Sequence, residues 1–127
     1  MPERTNRPIR MAIVCLSALF AACIAIQIYL AGMAVFIDAG HWKDHKNFVH
    51  IIELMPIAVF ILSFFCRAGG AVRWLPLAMF GLIIAQYATA NLNAKLPYFA
   101  ALHPLIAIIL LWLSLITLKR AYRLWRG

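Results

Sequence analysis

The sequence is short of charge, and of acid above all. Only 13% of its 127 residues are charged, and just four of those are Asp or Glu. A soluble domain carries about a quarter charged residues and about half apolar ones. Here the apolar share is 65% and the mean hydropathy +0.88. Such a chain cannot clothe itself in polar surface, so its outer shell must face lipid. That same lack excludes nucleic-acid binding, although the net charge of +8 would otherwise suggest it. Cysteine is equally sparse: three residues and no C-x-x-C pair. Cys15 and Cys23 sit eight residues apart on one apolar run, about 12 Å along a helix, too far for a disulfide. All three cysteines read as small apolar packing residues.

Carboxylates inside the apolar runs are almost missing. Glu53 stands alone there, which excludes a di-iron bundle, since that needs about four carboxylates and paired Glu-x-x-His motifs. No G-x-S-x-G elbow and no Gly-rich phosphate loop occurs, so neither hydrolytic nor nucleotide chemistry has a carrier.

What is present is four long apolar runs, about 11–37, 48–65, 72–92 and 98–118. Each reaches the roughly 18 residues that read as a spanning helix. A helix satisfies its own backbone hydrogen bonds, as hydrocarbon requires. The first run begins after basic residues, and "LFAAC" loosely resembles a lipoprotein cleavage site. Phe20 fits that site poorly, and the run continues well past Cys23, so a spanning helix is expected rather than a cleaved leader. The connections "DAGHWKDHKN", "RAGGAVR" and "NAKLP" are short, which makes successive helices antiparallel neighbours. The fold class is therefore all-α: one integral membrane domain over 1–127, a four-helix up-down-up-down bundle.

Lys and Arg set its orientation. Arg4, Arg7, Arg10, Arg67, Arg73, Lys119, Arg120, Arg123 and Arg126 fall on one side, and Lys43, Lys46 and Lys95 on the other. Asp38 and Asp44 offset the first connection further. Both termini are expected on the inside, in the cytoplasmic membrane of a bacterium. A homo-oligomer or a larger membrane complex is an open possibility. Pro56, Pro76 and Pro104 are candidate kinks, and Gly32 and "RAGG" allow close packing or bending. No ring of charge marks a channel.

The few polar residues in the outward half carry the functional reading. Gln27 and Gln86 occupy matching places on the first and third runs, and His50 and His103 on the second and fourth, a faint two-by-two repeat. His50 lies about 5 Å inside its helix and His103 about 8 Å, and Glu53 shares the His50 face. Polar groups in hydrocarbon turn inward and find partners, so Gln27, His50, Glu53, Gln86 and His103 are expected to converge on one pocket. The inner half offers only hydroxyls such as Ser17, Ser114 and Thr117.

Three readings of these residues stand side by side. In the first, His50 and His103 on diagonal helices are the axial ligands of one b-type haem that exchanges electrons with quinol at the outer leaflet, with Glu53 orienting an imidazole. In the second, no cofactor binds, and the polar residues lock helix to helix in a structural or accessory subunit. In the third, His41 and His45, one turn apart beside Asp38 and Asp44, hold Zn or Cu at the surface. Against the third, Trp42, Lys43, His45 and Lys46 also suit a headgroup collar.

At "QIYLAGMAVF", "HWKDHKNFVH", "AQYATA" and "LHPLIA" the chain resembles domain-of-unknown-function family 6220, small four-helix bacterial membrane proteins, over about residues 13–118. Gln27, Leu30, Ala31, Gly32, His45, Gln86, Leu102, His103 and Pro104 carry the likeness. It implies membrane location and four helices, and no established activity. The likeness also singles out His45 as an alternative ligand. Val49 stands where the family tends to Gly, and a Gly there would let a flat cofactor approach His45; Val49 weighs against that and leaves His50 open.

Overall fold

A computed structural model describes residues 2–127, with side chains from Asn6 onward. The side chain of Arg4, one of the cations counted above, lies outside that range. The described chain is helical almost throughout and holds four helical segments long and apolar enough to cross a membrane: Asn6–Phe36, His41–Phe65, Ala71–Asn91 and Pro97–Arg126.

The first span is one helix, α1 (Pro2–Phe36). It starts ahead of the apolar run and carries Pro8 inside it, so helix there runs against local propensity. The second span begins at His41, about two turns ahead of the apolar run. There "HWKDHKN" opens α2 (His41–Ile52) rather than lying in a loop, with Asp44 in the first turn, where the helix dipole favours an acid. The span then breaks. Pro56 sits in the first turn of α3 (Met55–Phe65), and its nitrogen has no hydrogen to give the Ile52 carbonyl. Pro76 lies inside the unbroken α4 (Ala71–Asn91). A single turn, α5 (Pro97–Ala100), opens the fourth span, and α6 (Leu102–Arg126) completes it. Arg123 and Arg126 in its last turn complement the dipole.

Cys66 ends α3 and Arg67 follows with φ of 53°, a left-handed conformation. The Ala68 amide donates to the Ser63 carbonyl at 2.9 Å and the Arg67 amide to the Phe64 carbonyl at 3.3 Å. That pair of bonds is the Schellman closure, with arginine where glycine is usual.

Span one packs on spans two and four, and span three packs on the same two, so one and three, like two and four, are diagonal. Two clusters fill the centre. Phe20, Cys23, Ile24, Ile52, Met79, Ile83 and Leu110 form one; Ile13, Val59, Cys66, Ala68, Val72 and Ala121 form the other. Every span contributes to each cluster. Lipid tails are as apolar as leucine, so close packing rather than water exclusion holds the helices together. Buried Ser63, Ser114 and Thr117 suit that role: each is slim and donates its hydroxyl to a carbonyl of its own helix.

Candidate functional site

At the end of the bundle where α1 closes and α2 begins, Gln27 and His45 bond reciprocally. The Gln27 Nε2 donates to the His45 carbonyl at 2.8 Å, and the His45 Nδ1 lies 3.0 Å from the Gln27 carbonyl. Across the bundle the arrangement repeats. The His103 Nδ1 lies 3.1 Å from the Gln86 carbonyl and 3.0 Å from the Thr89 hydroxyl oxygen. Thr89 itself donates to helix carbonyls at 3.0 Å.

A carbonyl only accepts, so both Nδ1 atoms carry the hydrogen. Each ring is thereby held in the tautomer that leaves an Nε2 lone pair. Neither Nε2 has a hydrogen-bond partner among the described residues. The two half-buried imidazoles face each other at 6.3 Å between ring centroids, planes 55° apart. Beside them the amide oxygens of Gln27 and Gln86 are buried with no partner.

The two-by-two repeat of the sequence is thus present with a different histidine. His45, not His50, lies opposite His103. On one helix the two are turned about 140° from each other, so only one can face inward, and the Gln27 carbonyl and amide engage His45. His50 points out of the bundle, its side chain 62% exposed. It joins a second cluster, in which the Tyr87 hydroxyl donates to Glu53 Oε2 and lies 3.1 Å from His50 Nδ1. The single convergent pocket expected from Gln27, His50, Glu53, Gln86 and His103 is therefore two sites: Gln27, His45, Gln86, Thr89 and His103 inside, and His50, Glu53 and Tyr87 outside.

Thr89 and Tyr87 went unread in the sequence. They stand in "AQYATA" one and three residues after Gln86, and a carboxylate alone in a spanning helix was the signal to look for a donor such as Tyr87. His41 and His45 share no site. His41 bonds Asp44 at 2.9 Å on the surface, while His45 turns inward with Trp42 against its edge at 5.6 Å. Among the described residues no three His, Cys, Asp or Glu side chains gather as a metal set. Val49, half-buried, follows His45 by one turn of α2.

A family model described as "Family of unknown function (DUF6220)" matches residues 27–92, just over half of the chain. That stretch holds Gln27, His45 and Gln86, while His103 lies beyond it. No curated protein and no solved structure matches the chain.

Proposed function

The chain belongs to the family of unknown function DUF6220, and from its four apolar helices and its own site we propose that it is a b-type haem protein of the bacterial cytoplasmic membrane that transfers electrons between quinol and an external acceptor. The observation that carries this reading is the facing pair His45 and His103, each fixed through Nδ1 on a glutamine carbonyl with Nε2 left as a donor pair. Metal-bound histidines are commonly held this way through the other nitrogen.

The spacing supports it too. A metal ion held by both Nε2 atoms would set the imidazole centroids about 6 Å apart; the pair stands at 6.3 Å. Two protein ligands suffice only where a macrocycle supplies the other four, which favours haem over a bare ion. The flanking spans are slim nearby. On the Gln27 face of span one the next two side chains toward its end are Ala31 and Ala34.

Haem would supply one-electron chemistry when bound; His45 and His103 would hold it, and the Gln27 and Gln86 carbonyls orient their rings. The bundle crosses up, down, up and down with both termini inside, so the pair lies in the outer half of the membrane. A haem at that level serves quinol and an external acceptor rather than carrying electrons across.

The test is the reduced-minus-oxidised absorption spectrum of protein purified from haem-replete cells. Soret and alpha bands are expected in the wild type and in His50→Ala, and their loss in His45→Ala and His103→Ala. A colourless wild type sinks the reading. The cofactor-free reading then stands, favoured by the reciprocal Gln27–His45 bonds, which by themselves tie span one to span two.

A further inference from the structure

The outer cluster of His50, Glu53 and Tyr87 is not used by the haem pair. It lies on the outside of the bundle, three to six residues into the apolar part of span two, with side-chain exposure of 62% for His50 and 28% for Glu53. Ionisable groups on a hydrocarbon-facing surface are costly and mark functional sites.

The hydrogen bonds define what is left over. Tyr87 has one hydroxyl hydrogen and gives it to Glu53 Oε2. Its contact with His50 Nδ1, at 3.1 Å, is then one in which the imidazole donates. His50 Nδ1 also lies 3.5 Å from Glu53 Oε2; in the neutral ring Nε2 keeps a lone pair, and Glu53 Oε1 has no hydrogen-bond partner among the described residues. The rings of His50 and Tyr87 stack beside them, centroids 5.9 Å apart and planes 25° apart. This patch of surface offers two acceptors, no free donor and an aromatic wall.

We propose that His50, Glu53 and Tyr87 form a binding site for the headgroup of a membrane-dissolved hydroquinone. Such a molecule is neutral and aromatic and brings two hydroxyl donors, one for Glu53 Oε1 and one for His50 Nε2. A phospholipid phosphate is the wrong partner: it brings acceptors to acceptors and a negative charge to a carboxylate. Ammonium headgroups carry a full charge and stay in the interfacial zone. The site shares a turn of α4 with the inner pair. The Gln86 carbonyl holds His103, and the next residue, Tyr87, holds Glu53. Its place in electron transfer rests on the haem reading; its recognition of the hydroquinone does not.

The experiment is equilibrium binding of decylubiquinol, and of its oxidised quinone, to the protein in lipid nanodiscs, with the Soret band read on the same samples. Saturable binding of the hydroquinone is expected, with the quinone at least about tenfold weaker because it has no hydroxyl to donate. Glu53→Leu and His50→Leu should each weaken the hydroquinone at least about tenfold. Absence of saturable binding, equal binding of the two redox forms, or indifference to both variants overturns the site, whatever the Soret band shows. A dimer that Glu53→Leu dissociates also overturns it, in favour of a second copy covering the cluster. Binding with this pattern in a colourless protein keeps the site and sinks the haem reading.

Discussion

At the scale of single residues, the choice between His45 and His50 turns on a backbone atom. Both are histidines near the start of span two, and residue type does not separate them. What separates them is the Gln27 carbonyl, which reaches the His45 ring while the Gln27 amide reaches the His45 backbone. A neighbour's main-chain oxygen leaves no mark in residue spacing. Arg67 is the other residue whose conformation matters by itself. Its φ of 53° closes α3 in the left-handed region, which costs a residue with a Cβ about 1 kcal/mol relative to glycine. Arg67→Gly should therefore stabilise the folded protein by about 1 kcal/mol, raising its thermal midpoint in detergent by a few degrees, whereas Arg67→Ala should gain nothing. Equal midpoints for the two variants would show that the left-handed turn carries no penalty.

At the scale of elements, apolar length made the spans legible, and helix ends escaped it. The third span was readable to within a residue, since α4 (Ala71–Asn91) is bounded by "RAGG" and "NAKLP". The second was not, because "HWKDHKN" is polar enough to read as loop, yet it folds as the opening turns of α2. That polar opening is what brings His45 into helical register with the bundle. Of the three prolines read as kinks, Pro56 separates two helices and Pro76 does not. Leu54, at φ −90° and ψ −5°, stays close to helical values at the break. Pro56→Ala should thus restore the bond to the Ile52 carbonyl and fuse α2 with α3. Removing a kink of about 20° from a helix of this length moves its far end by about 6 Å. Spin labels at Lys46 and Leu96, both exposed, should report a change of several Å, accompanied by weaker Soret absorption as His45 leaves Gln27. An unchanged distance would mean that the break is set by packing against spans one and three rather than by the proline.

At the scale of the whole molecule, charge and chemistry divide the two ends. One end gathers Arg10, whose Nη1 reaches the Leu124 carbonyl at 3.2 Å, and Arg73, which lies over the Phe64 ring at 4.3 Å. The other end gathers every histidine and every described carboxylate, with Lys43, Lys46 and Lys95 its only cations. Cations flanking short connections are retained inside, so the arginine end should face the cytoplasm and the histidine end the exterior. The proposed external acceptor depends on this, because it can reach the histidine pair only from outside. The check starts from a chain whose Cys15, Cys23 and Cys66 are replaced by alanine. Asn93→Cys, in the third connection, should react with a membrane-impermeant maleimide on intact cells. Arg126→Cys, at the end of α6, should react only after the membrane is opened. The reverse pattern would turn the bundle over, move the histidine pair to the cytoplasmic leaflet and require a cytoplasmic electron partner. Labelling of both sites from one side would mean that the fourth span, the one between them, does not cross.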